Sequence, residues 1–263
     1  MLNQLLLILS IVFFLSCNQT TIKTTKTEID NSYLSSINYM QTSAEVKALY
    51  YQTFNFGKLI VDKDLTLENN KKRAIIVDVD ETLVITIPYN ANNMMKSRNY
   101  PNGWKEWIDK IDAKPIPGAI DFLKYVDKQN ITIFYITNRK ENVKESTYKS
   151  LKKLGYPIEI KNLLMKTDSS NKSLRRNYVL KDYRVVLYIG DSLIDFPGNF
   201  DKEFTKNMQG RDNQVKKHKD KFGTKWLILP NSVYGDWENV IFNYNWDKSL
   251  KERIDEKRKV LIY

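Results

Sequence analysis

The chain has 263 residues, 42% of them hydrophobic, and its 42 Lys and Arg against 31 Asp and Glu give a formal net charge of +11. This is enough apolar material for one domain with a modest appendage, built without disulfides or structural metal. His218 is the only histidine and Cys17 the only cysteine, which excludes histidine-based triads and zinc centres and leaves the chemistry to carboxylates, lysine, threonine and asparagine.

Leu5 to Ser16 forms an apolar run of signal-peptide length, too short for a permanent transmembrane helix. It ends in Phe14-Leu15-Ser16-Cys17, which resembles the lipobox of bacterial lipoproteins, although Phe14 stands where Leu is usual and Met1 to Gln4 carry no Lys or Arg. Residues 1–17 therefore read as a lipoprotein signal peptide with lipid on Cys17. Residues 18–31, rich in Thr, Lys and Asn, read as a flexible linker. In the N-terminal segment 32–72, Tyr39, Ala44, Val46, Leu49, Tyr50 and Phe54 recur at helical spacing and predict helices.

From residue 73 to 243 the pattern changes. Short β-branched runs at Ala74 to Val79, Thr132 to Ile136, Val185 to Ile189 and Trp226 to Leu229 predict strands. Between them, Pro117-Gly118 opens one helix through Lys128, and Glu141 to Leu154 forms another that Gly155 stops. Alternation of this kind predicts an α/β fold with a parallel sheet. An aromatic insertion at residues 86–115, with Tyr89, Tyr100, Trp104 and Trp107, reads as a small, mainly helical cap. Residues 244–263 read as a terminal helix. The lysines are spread along the chain, and Lys71-Lys72-Arg73 and Lys216 to Lys221 look like solvated faces, so the positive charge does not imply a nucleic-acid polymer as partner.

Open parallel sheets bind ligands beyond the carboxyl ends of their strands. There the first run is followed by Asp78-Val79-Asp80-Glu81-Thr82, the second by Thr137-Asn138-Arg139 and the third by Gly190-Asp191-Ser192-Leu193-Ile194-Asp195. Carboxylates, a hydroxyl and an amide thus converge on one acidic, donor-rich site.

These stretches resemble the haloacid dehalogenase superfamily, and within it the class C acid phosphatases, a family that includes lipoprotein 5′-nucleotidases. The likeness extends through Ile76 to Leu83 with Thr86 and Tyr89, Phe134 to Lys140, Val186 to Phe196, Lys221-Phe222-Gly223, Leu229-Pro230-Asn231 and Tyr234 to Trp237. Ser192, Ile85 and Ile87 depart from it. The resemblance implies a Rossmann-like parallel sheet flanked by helices, with Asp78 as the phosphate-accepting nucleophile and Asp80 as acid and base. It also implies a Mg²⁺ ion held by Asp78, the Asp80 carbonyl and Asp191, with Asp195 orienting that shell. Thr137 and Asn138 would hold the phosphoryl oxygens together with one lysine. The helix-start signal Asp168-Ser169-Ser170-Asn171 favours Lys172 for that lysine over Lys166.

Tyr234, Tyr89 and Trp104 are the candidates to hold a nucleobase, whereas Tyr100 and Trp107 read as packing. The expected substrate is a small phosphomonoester, preferentially a nucleoside 5′-monophosphate. A broad-specificity phosphatase and a catalytically inactive surface-binding lipoprotein are the alternatives, and the sequence does not fix the oligomeric state. The expected location is the cell envelope of a bacterium, at the outer membrane or the periplasmic face. Expressed in a bacterium, the protein is expected to partition into detergent and incorporate labelled fatty acid, and Cys17→Ser to lose the label; a labelled Cys17→Ser protein overturns the lipid assignment.

Overall fold

In the computed structural model the described residues are 24–68, 70–200, 205–245 and 247–263. Residues 1–17, read as a lipoprotein signal peptide ending in Cys17, and residues 18–23 lie outside them. No described helix is long and apolar enough to cross a membrane.

Helix α1, Thr24–Thr42, begins inside the stretch read as a linker, so residues 24–31 are helical. A helix can propagate backward from packed residues such as Ile37 and Met40, so a linker-like composition does not exclude one. Ser43 then caps α2, Ala44–Leu65, by accepting from Val46 N at 3.1 Å. Val46, Tyr50, Phe54 and Val61 are buried along one face of α2, whereas Tyr39 and Leu49, which shared the helical spacing, are exposed.

The strands are β1 Lys72–Val77, β2 Val84–Ile85, β3 Lys114–Pro115, β4 Thr132–Lys140, β5 Leu163–Lys166, β6 Tyr183–Gly190 and β7 Trp226–Ile228. Five of them form a parallel sheet in the order β5-β4-β1-β6-β7. From β1 the chain winds outward through β4 and β5, then crosses to the other side of β1 for β6 and β7. The winding direction therefore reverses at β1, where open α/β sheets form their binding crevice.

Helices cover both faces. Ile75 and Val77 of β1 pack toward α2, α5 (Ala119–Lys128) and α6 (Lys144–Leu154), while Ala74 and Ile76 pack toward α7 (Ser173–Asp182), Phe196 and Trp226. α5 buries Ala119, Phe122, Leu123 and Val126, a spacing that puts them on one helical stripe, and Phe122 meets Phe54 of α2 with ring centroids 5.6 Å apart. α6 stops at Gly155, whose φ of 89° lies in the left-handed region.

The insertion is closed at its base by an antiparallel pair, Val84 with Pro115 and Ile85 with Lys114. It carries α3, Ile87–Met95, and α4, Trp104–Asp109. Toward the C-terminus lie α8, Met208–Lys217, α9, Asp236–Asn239, and α10, Leu250–Lys259. β5 had no periodic signature of its own, since four residues are too few to show one, and its identity comes from pairing with β4.

β6 ends at Gly190, where a Cβ would fall 2.2 Å from Asp195 Oδ2. Gly190→Ala is expected to lower stability by about 1–3 kcal/mol, the usual cost of forcing extra atoms into a packed site. Thermal denaturation of the two proteins would check this; an unchanged Tm would mean that the Asp195 loop yields freely.

Candidate active site

Asp78 immediately follows β1, and its N–H continues the sheet by donating to Ile189 O at 2.9 Å. The carboxylate is thereby fixed between the ends of β1 and β6, and it is buried. Lys172, at the N-cap of α7, is also buried and joins the two loops. Its Nζ donates to Asp78 Oδ1 and, at 2.6 Å, to Asp195 Oδ1. Lys166 instead ends the edge strand β5, paired with Lys140.

Asp195 is held from its other side by Ser192 N, which donates to Oδ2 at 2.9 Å in a capping box. This arrangement requires Gly190 beneath it. Asp191 is held by Asn231, whose Nδ2 donates to Asp191 Oδ2 at 2.7 Å from the loop after β7. One carboxylate oxygen from each of Asp78, Asp191 and Asp195 lies within 4.8 Å of the others.

Three carboxylates around a single ammonium leave excess negative charge in a dry place. Burial pushes Asp78 up to about 7, against the pull of Lys172 and with Asp195 and Asp80 adding to the rise. Burial, then Asp195 and Asp78, push Asp191 well above the usual carboxylate range. For Lys172 burial acts downward, but Asp195 and Asp78 outweigh it and raise it, so the ammonium stays charged. All-oxygen donors with uncompensated charge at this spacing fit a hard divalent cation.

The phosphate-binding residues expected after the second strand lie within it, because β4 runs on to Lys140. Thr137 is fully buried and its hydroxyl accepts from Arg139 N at 3.1 Å. Asn138 borders the cleft. Arg175 of α7 donates to Asn138 Oδ1 at 2.8 Å and to the Thr137 carbonyl at 2.5 Å. Arginine can only donate, so its partner must be the amide oxygen, and the amide nitrogen is what Asn138 can offer a ligand. Arg175 was missed in the sequence; its one signal was its position three residues after Lys172, on the same helical face.

Arg139 was legible only as part of the Thr137-Asn138-Arg139 stretch. Its buried guanidinium grips Asp80, with Nη2 at 2.7 Å from Oδ1 and Nε at 3.1 and 3.2 Å from the two oxygens. Nη1 donates to Thr147 at 3.1 Å, and the guanidinium lies 5.7 Å from the ring centre of Trp104. Arg139 thus ties Asp80 to both α6 and the insertion.

Above these groups opens a cleft of about 1040 Å³, walled by α1, the insertion and the chain after β7. Glu81, in the left-handed conformation at φ 53°, turns its carboxylate under the insertion and accepts from Thr86 N, from Thr86 Oγ1 at 2.9 Å and from Ile87 N at 3.1 Å. Burial pushes Glu81 up to about 8 against these hydrogen bonds. Tyr234 lines the opposite wall, with its hydroxyl 3.1 Å from Thr86 Oγ1 and its N–H 3.3 Å from Asn231 Oδ1.

Of the lid aromatics, Tyr89 is buried, edge-on to Trp104 at 4.8 Å, and donates to Asn102 O at 3.1 Å. Trp104 stacks on Trp107 with an interplanar angle of 8°. Tyr89 and Trp104 still border the cleft. Tyr100, read as packing, is 62% exposed at the cleft rim, because it sits beyond the stacked tryptophans and touches only the edge of Trp104.

Residues 8–237 match the family described as HAD superfamily, subfamily IIIB (acid phosphatase). The chain is similar to the solved class C acid phosphatase from Bacillus anthracis, at 37% identity and a TM-score of 0.86, over 90% of this chain and 99% of that one. It is 27% identical to vegetative storage protein 1 of Arabidopsis thaliana over 55% of this chain and 56% of that protein. It is 26% identical to acid phosphatase 1 of Solanum lycopersicum over 52% and 57%. The chain spans about half the length of the curated relatives it matches. Parallel sheet, strand-end carboxylates and family match agree: the chain belongs to the acid phosphatase family of the HAD superfamily, subfamily IIIB.

Proposed function

We propose that this protein is a Mg²⁺-dependent phosphomonoester hydrolase, acting on nucleoside 5′-monophosphates through Asp78 and anchored to a bacterial cell envelope by lipid on Cys17. The observation that carries the reading is the buried Lys172 bridging Asp78 and Asp195, with Asp191 beside them, at the floor of a cleft far larger than a phosphate group needs.

Phosphoryl transfer needs an in-line nucleophile, charge offset on the equatorial oxygens and a proton for the leaving oxygen. A carboxylate oxygen of Asp78 attacks phosphorus as the bond to the ester oxygen breaks, and Asp80 gives that oxygen its proton. Asp80 Oδ2 suits this task, since its contact with Arg139 is the longer one. A water then attacks the aspartyl phosphate and passes a proton to Asp80, releasing orthophosphate and restoring the Asp78 carboxylate and the protonated Asp80. Lys172 and the Asn138 amide neutralise and orient the phosphoryl oxygens, with the Thr137 hydroxyl behind them. A Mg²⁺ ion held by Asp78, Asp191 and the Asp80 carbonyl, its shell oriented by Asp195, would offset charge on the phosphoryl oxygens.

The cleft volume and its aromatic wall support a flat leaving group. Tyr234, partly exposed beside the carboxylate cluster, is the better placed ring, since Tyr89 and Trp104 are engaged with one another. The envelope anchor rests on the apolar run before Phe14-Leu15-Ser16-Cys17. A relative named as a storage protein keeps a non-catalytic role as a second reading; turnover by the purified protein decides between the two.

Asp78→Asn is expected to abolish turnover of a chromogenic phosphate ester with the fold intact, because Asn is isosteric but cannot form the acyl phosphate. Chelation is expected to remove activity and Mg²⁺ to restore it. Near wild-type rates for Asp78→Asn would remove it from the nucleophile role, and full activity in exhaustively chelated buffer would refute the metal.

Stacking on a base contributes about 1–3 kcal/mol, so Tyr234→Ala should lower kcat/KM for nucleoside monophosphates by roughly 5- to 150-fold. A small aliphatic phosphate ester should lose much less. Equal losses on both would mean that Tyr234 supports the catalytic loop, and the chain would then be a broad phosphatase.

A further inference from the structure

The Thr86 hydroxyl joins the loop after β1 to Tyr234. Thr86 is buried at the entrance to the insertion, and its Oγ1 lies between Glu81 Oε1 at 2.9 Å and the Tyr234 hydroxyl at 3.1 Å. Glu81 Oε1 already accepts from two main-chain N–H groups, Thr86 N and Ile87 N, so that oxygen carries no proton. The Thr86 hydroxyl, which also lies 3.3 Å from Glu81 Oε2, therefore bridges the Glu81 carboxyl group and the Tyr234 hydroxyl, with which it shares one hydrogen bond.

This bridge reaches the catalytic floor at both ends. Glu81 adjoins Asp80 in sequence, and its positive φ of 53° turns it away from the cleft so that it holds the first turn of α3. The main chain of Tyr234 is tied through Asn231, which also holds Asp191. Both the ring tip and the backbone of Tyr234 are thus referenced to the loops that carry the carboxylates, across a cleft whose two walls come from chain segments 148 residues apart.

We infer that Thr86 is a positioning residue for substrate selection: it fixes the distance and tilt of the Tyr234 ring relative to Asp78, and so favours phosphomonoesters that carry a planar group at that set distance from phosphorus. The inference rests on the proposed role of Tyr234 as the wall for a nucleobase. The hydroxyl does not touch the reacting atoms.

The test is the ratio of kcat/KM for adenosine 5′-monophosphate to that for 2-phosphoglycerol, a similar ester without a planar group. Loss of one neutral hydrogen bond should lower this ratio by roughly 2- to 13-fold in Thr86→Val, mainly through a higher KM for the nucleotide. Tyr234→Phe should lower it by the same amount, and Thr86→Val with Tyr234→Phe together no further, since both remove one shared bond. Thr86→Ser should restore the ratio.

A purely structural Thr86 would lower both substrates in proportion and leave the ratio unchanged, which overturns the inference. So do losses that multiply in the double variant. If Thr86→Val does not fold, Tyr234→Phe alone decides, and an unchanged ratio there sinks the proposal. Tyr234→Ala separates the two readings. If it lowers the ratio while Thr86→Val and Tyr234→Phe do not, the base wall stands and the positioning role fails; if it leaves the ratio unchanged, both fail.

Discussion

A buried ammonium shared by two buried carboxylates organises this molecule. Lys172, Asp78 and Asp195 come from three separate parts of the chain, and desolvating any one of them alone would cost several kcal/mol. Together they are tolerable, because Lys172 donates to both aspartates and Ser192 N satisfies Asp195 from behind. Removing Lys172 would leave buried carboxylates without their cation, so the start of α7 and the ends of β1 and β6 must meet in one arrangement. The remaining negative charge, shared among Asp78, Asp191 and Asp195, suits a divalent cation and, with it, a phosphoryl group.

Around this centre stands a shell that does no chemistry but fixes where chemistry can occur. Arg175 turns the Asn138 amide, Arg139 aims Asp80, Asn231 steadies Asp191, and Gly190 leaves the space that the Asp195 carboxylate occupies. Arg139 and Gly190 lie at strand ends and Arg175 at a helix start, while Asn231 belongs to the loop after β7. Precision at the reacting atoms depends on such supports, since small misplacements there are costly.

The insertion is bound to the same centre by two routes, Asp80 to Arg139 to Trp104 on one side and Glu81 to Thr86 to Tyr234 on the other. Both begin at adjacent residues of the loop after β1. The cleft wall and the Asp78 carboxylate are therefore parts of one network. The stacked Trp104 and Trp107 and the edge-on Tyr89 form a small apolar core for the insertion, which gives it rigidity.

Lys172 needed the family resemblance beside its helix-start signal, but short-range rules were enough to read the alternating strands and helices, the parallel sheet and the strand-end carboxylates Asp78, Asp80, Asp191 and Asp195. All of these are local: a β-branched run, a turn after it, a polar cap before a helix. The same rules failed where partners are distant in sequence. Arg139 and Arg175 look like any other surface cation among 42 Lys and Arg until β4 and α7 bring them to Asp80 and Asn138. Tyr89 and Tyr100 are one residue type in one insertion and both meet Trp104, yet Tyr89 is buried and Tyr100 is exposed at the rim, because Tyr89 also meets Trp107 and the Asn102 carbonyl. β5 exists only through its partner strand, and residues 24–31 are helical despite a linker-like composition. Sequence fixed the chemistry available at the strand ends, since side-chain type and strand order are written there; tertiary structure alone decided which charges meet, because burial and Coulomb attraction act across the fold and not along the chain.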